Sequence, residues 1–206
     1  DGSVTGLPDS YAMMVKANVH KLTFSTHGLE KFVKGWAPSV NLDLDKFCKG
    51  EHLTFRGRAS GPLNRLHAHG TMHTDFGKAD LNVTLRNVID PKRPLEIGGS
   101  ASTERLDIGR IMAGIPVGEC DMRTGLNATF AKDSLGIVID SLYVDGLDVL
   151  GYKYSNIAAV GTFSQDAFDG RIVCSDPNLN FLFQGIFSLS SKTKNALYQF
   201  YANLGY

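Results

Sequence analysis

Apolar and other side chains alternate residue by residue over Leu66 to Met72 and Leu81 to Arg86, and Phe181 to Leu189 keeps the pattern with Phe181, Phe183, Phe187 and Leu189 at odd positions. In Leu81-Asn82-Val83-Thr84-Leu85-Arg86 every odd position is aliphatic and every even one polar. Successive side chains of a strand point to opposite sides of its sheet, so one face of each such strand leaves water. The same texture predicts strands over Tyr11 to Phe24, Val40 to Leu44, His52 to Ala59, Leu66 to Thr74, Lys78 to Asn87 and Leu95 to Ser102. It continues over Asp121 to Ala131, Gly136 to Tyr143, Ser155 to Ser164, Ala167 to Cys174, Leu179 to Ser190 and Asn195 to Gly205. Between them Asp75-Phe76-Gly77-Lys78, Asp90-Pro91-Lys92, Gln165-Asp166 and Asp176-Pro177-Asn178 supply the Gly, Pro, Asn or Asp that chain reversal favours. The expected arrangement is a meander of antiparallel hairpins.

Two short helices are expected to interrupt the series. Ser25-Thr26-His27-Gly28-Leu29-Glu30 and Ser102-Thr103-Glu104-Arg105-Leu106-Asp107 both read Ser-Thr-x-x-Leu-acid, with a hydroxyl to cap a first turn and an acid suited to the helix dipole. The second is expected to stop at Gly114, before Pro116. Ala17-Asn18-Val19 is echoed by Ala202-Asn203-Leu204. The two echoes point to one β-rich segment, residues 1–206, of a longer repeat protein, with a sub-repeat boundary near 90–120. The chain opens at Asp1 without an initiator Met, and it is read as an internal piece of its parent.

Gly57, Gly61, Gly70, Gly125, Gly161 and Gly185 fall inside strands, where glycine marks bulges, bends or close approach. A strongly curved sheet is expected. The apolar set includes Phe24, Phe55, Leu66, Ala68, Met72, Leu81, Val83, Leu85, Phe130, Phe163, Phe181, Phe183, Phe187, Leu189 and Phe200. Alternation alone fits two arrangements, the packed centre of a sandwich or an open trough wide enough for acyl chains. Burial stabilises by ~0.8 kcal/mol per methylene, so ten methylenes of a lipid tail contribute roughly 8 kcal/mol relative to water. A smooth lining without a charged anchor binds every position of the tail about equally, which lets it slide.

Hydrophobic residues make up 43% of the chain and charged ones 20%, which excludes disorder. Lys plus Arg equal Asp plus Glu at 21 each, which gives no overall reason to expect nucleic acid as a partner. Cys48, Cys120 and Cys174 lack the spacing of zinc ribbons, redox pairs or a disulfide framework and read as plain thiols. No apolar run approaches the ~20 residues of a membrane-spanning helix. There is no Gly-x-Ser-x-Gly elbow, since Gly98-Gly99-Ser100-Ala101-Ser102 fails at its last position, and no Walker loop, His-Glu-x-x-His or EF-hand loop. No enzyme activity, cofactor or metal is expected. His67, His69 and His73 share one strand face, but side chains two apart diverge by roughly 6 to 7 Å at their bases, so a solvent-facing strand is the stronger reading. Asn82-Val83-Thr84 and Asn127-Ala128-Thr129 match the glycosylation pattern inside strands and read as cross-strand polar residues; Trp36 reads as a cap at the core's edge.

Phe55-Arg56-Gly57-Arg58-Ala59-Ser60-Gly61-Pro62-Leu63-Asn64-Arg65-Leu66, running on to Asn87, resembles the repeating unit of AsmA-like and TamB-like bacterial envelope proteins. Asp169-Gly170-Arg171-Ile172 and Asp176-Pro177-Asn178-Leu179-Asn180-Phe181-Leu182-Phe183-Gln184-Gly185 are similar to Bacteroidetes versions of it. The resemblance implies a fragment of a long periplasmic protein, anchored in the inner membrane, whose strands form a taco-shaped groove. It implies phospholipid acyl chains as cargo between the inner and outer membranes, and adjacent segments of the same parent chain as neighbours. A BamA-like outer-membrane protein is a further implied partner. The alternative it carries is a scaffold for outer-membrane protein assembly by strand pairing. It supplies no catalytic residue. The anchor and the C-terminal domain typical of TamB are not in these 206 residues.

The expectation is therefore a mainly β protein, an antiparallel meander curved into an open taco-like groove or an elongated sandwich, with two short helices. Alternation assigns the lipid-groove lining to Phe55, Leu66, Ala68, Met72, Leu81, Val83, Leu85, Phe181, Phe183, Phe187 and Leu189.

Overall fold

The computed structural model describes residues 1–9, 11–25, 27–28, 31, 52–90, 92–111, 116–131, 134–164, 167–188 and 199–205. Alternation becomes one antiparallel sheet, open and curled, in which hydrogen-bonded neighbours follow chain order. Its strands are β1 (Gly2–Thr5), β2 (Met14–Ser25), β3 (His52–Pro62), β4 (Arg65–Thr74), β5 (Gly77–Arg86), β6 (Leu95–Asp107) and β7 (Val117–Ala131). After these come β8 (Ser134–Val149), β9 (Tyr152–Tyr154), β10 (Ile157–Ser164), β11 (Ala167–Asp176), β12 (Leu179–Ser188) and β13 (Gln199–Gly205). β9 pairs only with the end of β8, and β10 takes the next place in the sheet. The sheet runs without a break through residues 90–120, where β6 pairs with β7.

Single hairpins are marginal in water. What stabilises these is lateral pairing along a path of twelve strands, which at about 4.8 Å per step makes a sheet roughly 50 Å wide. Every substantial contact between elements joins hydrogen-bonded neighbours or seats the helical turn on β7, so no second sheet covers the first. The sandwich arrangement is thereby excluded for the described residues. Among them few apolar side chains are buried, and Cys174 is the only side chain with essentially no exposure. Curvature is introduced by bulges, which shift the register between Val19 and Leu22, Thr103 and Leu106, Gly125 and Leu126, and Ala159 and Gly161.

Local chemistry explains both agreement and error at the ends. The Asp75–Phe76 reversal is held by the Thr74 hydroxyl, which donates to the Gly77 carbonyl at 2.8 Å and accepts from the Phe76 amide at 3.2 Å. The helix expected over Ser102 to Asp107 is a correction: those residues belong to β6, because β5 and β7 offer partners to both its edges. The helical turn α1 (Ile108–Ile111) follows, capped by Asp107, whose carboxylate accepts from the Arg110 amide at 3.1 Å. The first helix is described only at His27, Gly28 and Lys31, with Ser25 Oγ accepting from the Gly28 amide at 3.1 Å. The strand expected over Val40 to Leu44, the Gln165-Asp166 turn, Trp36, Cys48 and Gly114 lie outside the described residues. No helix among the described residues is long and apolar enough to cross a membrane.

Candidate functional site

Antiparallel register puts directly paired residues on the same side of a sheet. Starting from β2, Ala17 stands opposite Ala59, Ala59 opposite Ala68, Ala68 opposite Val83, Val83 opposite Gly99 and Gly99 opposite Leu126. A parallel row joins Leu66, Leu85, Ile97 and Ala128, and another joins Phe55, Met72, Ala79, Thr103 and Met122. In the C-terminal half Ile172 links Ala159 to Phe183, and Cys174 links Ile157 to Phe181. These rows form one continuous face, here called the inner face. At the register-paired positions from β2 to β12 its only charged side chain, among the described residues, is Asp176 at one end.

Register thus brings Phe55, Leu66, Ala68, Met72, Leu81, Val83, Leu85, Phe181 and Phe183 to that one side, each half-buried. Phe187 is placed by its backbone alone, opposite Phe168, and Leu189 lies outside the described residues. Half-burial is what a curled sheet gives its own concave side, whereas a packed partner layer drives such positions below a tenth exposed. Dense packing is local. Leu95 is buried against Val88, Ile97 and Phe130 at the end of the sheet where β5 passes to β6.

The same small device occurs twice on the inner face, and sequence reasoning missed it. Gly57 and Gly70 pair across β3 and β4, and a Cβ at either would stand 2.8 Å from Cζ of Phe55. Gly161 and Gly170 pair across β10 and β11, and Cβ atoms there would meet Cζ of Phe168 at 2.9 and 2.7 Å. In each case a phenylalanine two residues along the strand lays its ring over a pair of glycines, replacing the missing side-chain cover. The signal in the sequence is Phe-x-Gly on one strand with a glycine at the paired position of its neighbour. Phe168 is buried and stacks at a tilt on Phe183, 6.5 Å between ring centres.

Hydroxyls on the inner face are consumed locally. Thr103 donates to the Cys120 carbonyl at 3.1 Å and accepts from the Met122 amide at 3.2 Å, so it serves the β6–β7 bulge. Thr124 donates to the Ser141 carbonyl at 3.0 Å. Asp176 is clamped: Tyr152 Oη, the Ser155 amide and hydroxyl, and the Asn178 amide all donate to it at 2.8–3.0 Å. These donors, the Asn178 amide foremost, hold its carboxyl below the ordinary aspartate value. The Cys120 thiol is pushed up to about 11 by burial, which suits an inert thiol.

The opposite, outer face carries the polar half of the alternation. His67, His69 and His73 are exposed there, and the described residues contain no group of metal-ligating side chains. Asn82 and Asn127 are exposed strand residues, and Asn127 donates to Asp140 at 2.7 Å. At the β4–β5 turn a depression of about 480 Å³ is lined by His73, Lys78, Glu104, Arg105, Asp107, Arg110 and Glu119 among others. Its charges are mutually engaged: Lys78 with Glu104 at 3.3 Å, Arg105 with Glu119 at 3.0 Å, and Arg110 with the Asp75 carbonyl at 2.7 Å. No nucleophile is aligned with a base in that set. Compared with known proteins, the chain matches no family model, no curated protein and no solved structure.

Proposed function

We propose that this chain is a segment of a periplasmic β-groove of the AsmA-like and TamB-like kind, which shields or conducts phospholipid acyl chains between the inner and outer membranes. The observation that carries this reading is the inner face: apolar from β2 to β12 among the described residues, curled, and uncovered by a second layer. Its width of roughly 50 Å exceeds the ~15 Å depth of one leaflet's hydrocarbon about threefold. A ligand site matches the length of its ligand, whereas a path exceeds it. The lining hydroxyls are occupied by backbone, so nothing polar fixes a tail at one place. The expected work is protection of the tail from water along a track, without chemistry.

The test is phospholipid content. Organic extraction of the purified chain followed by mass spectrometry is expected to yield phospholipid, and Val83→Asp or Phe183→Asp is expected to reduce it about tenfold or more by placing a charge in the apolar face. Circular dichroism keeps loss of lipid distinct from loss of fold. Wild-type lipid content in both folded variants overturns the reading. The same result together with sensitivity to proline in β1 favours the strand-pairing scaffold, since β1 is a fully exposed edge strand.

A further inference from the structure

The balanced formal charge of the whole chain conceals a separation in space. β2, β3 and β4 contain no Asp or Glu, yet they carry Lys16, Lys21, Arg56, Arg58 and Arg65 and five of the six histidines. The inner face of these strands is apolar, so alternation sends Lys16, Arg56, Arg58 and Arg65 outward, while Lys21 sits in the β2 bulge. Arg56 and Arg58 sit two residues apart on β3, about 6.8 Å between backbone positions, and both are exposed. Arg58 is flanked in register by Asn18 and His69, and Arg56 by Thr71. Neither guanidinium has a hydrogen-bond or ion-pair partner among the described residues, and the same holds for Lys16 and Arg65. Among the described residues Asp1 is engaged with His20 at 3.3 Å, and Asp80 with Thr71 and Lys78. Between these cations lies a shallow depression of about 480 Å³ lined by Asn18, His20, Arg56, Arg58, His69 and Thr71, with no acid in its wall.

We propose that the outer face of β2–β4 is a docking surface for the phosphate headgroups of an anionic membrane. Charge complementarity and shape point to this occupant. Unpaired cations fixed on a stiff sheet attract repeated anions and lose nothing by leaving existing partners. The face is open, so it meets a surface of phosphates more readily than it encloses one phosphate. It carries no Phe, Tyr or Trp on which bases stack, which disfavours single-stranded nucleic acid, and its exposed large apolar side chain, Met14, pairs with Pro62 at the end of β3 away from Arg56. This site is independent of the inner face, and the two stand or fall separately.

The experiment is sedimentation of the full 206-residue chain with vesicles of phosphatidylcholine alone or with phosphatidylglycerol added. Binding is expected only with phosphatidylglycerol and is expected to weaken steeply as salt rises. Each cation near an anionic surface contributes about fivefold, so Arg56→Gln with Arg58→Gln is expected to weaken binding roughly 25-fold. Arg123→Gln, which removes a cation already paired with Asp145 at 2.9 Å, is expected to leave it within about twofold. Equal binding to both vesicle types, or wild-type binding by the folded double variant, overturns the proposal. Saturation of this face by millimolar inorganic phosphate, read as amide shifts confined to β2–β4, or tighter binding of a single-stranded oligonucleotide, also overturns it by assigning another occupant.

Discussion

The hairpin β3–β4 and the hairpin β10–β11 are built alike on one side and unlike on the other. Each has a phenylalanine ring laid over a cross-strand pair of glycines on the inner face, Phe55 over Gly57 and Gly70, Phe168 over Gly161 and Gly170. Their outer faces diverge. Behind β3–β4 stand Arg56, Arg58, His67 and His69; around β10–β11 Val138, Tyr143, Val160 and Ile186 are at least two-fifths exposed. A strand's two faces are chemically independent because its side chains alternate. The shared inner device answers a need common to the whole sheet, a smooth apolar surface over a strongly bent backbone. The backs are free to differ and suit different surroundings.

The largest expected difference between the hairpins is in packing. Phe168 is buried and leans on Phe183, whereas Phe55 is half-buried. Phe168→Ala is expected to cost about 3 kcal/mol and Phe55→Ala about half that, measured by urea unfolding of the full chain. Equal costs dissolve the distinction and make the two devices energetically one.

A second difference lies at the turns. The β4–β5 reversal is held by the Thr74 hydroxyl and by donors to the Asp75 and Phe76 carbonyls, but the β11–β12 turn is gathered by the carboxylate of Asp176. Folding lowers the Asp176 carboxyl below its unfolded value, so the stability it contributes is fully present above the ordinary aspartate range and is lost as pH falls through the folded value. Asp176→Asn is therefore expected to lower the melting temperature at pH 7, and its deficit relative to wild type is expected to shrink as pH falls below the ordinary aspartate range. A pH-independent gap between the two proteins assigns the clamp to shape instead of charge.

The smallest expected effect concerns the backs. Arg123 and Asp145 form an exposed pair, 64% and 57% exposed, while Arg56 has no partner among the described residues. Arg123→Gln is expected to lower the melting temperature slightly at low salt and not at all near 1 M, where the screening length is about 3 Å. Arg56→Gln is expected to leave stability unchanged or raise it, because it relieves crowding of like charge. A clear loss from Arg56→Gln requires a partner for this side chain and weakens the docking argument.

Strand content was legible wherever alternation was long, as in β4, β5 and β12, because one buried side fixes register. β1 and β9 are too short to show a period. The Ser-Thr-x-x-Leu-acid pattern of residues 102–107 misled because capping chemistry is local, whereas β6 is decided by two neighbours; Thr103 serves a bulge and Asp107 alone caps. Alternation is identical for a covered and an uncovered sheet, so the single layer was not readable in advance. Of the partners of Asp176, Asn178 belongs to the turn read from the sequence, but Ser155 and Tyr152, 21 and 24 residues away, leave no mark beside it. The acid-free run of β2–β4 was present in the residues but cancelled in the total, where 21 cations meet 21 anions.

Because the substantial contacts of each strand are with those beside it, and β1 and β13 each have one neighbour among the described residues, the architecture behaves like tiling in a single direction. Adding one hairpin at an edge lengthens the concave channel by about 10 Å and leaves the existing strand pairs in place. Span becomes a dial that duplication can turn without redesign, and loss of one tile shortens the channel instead of collapsing it.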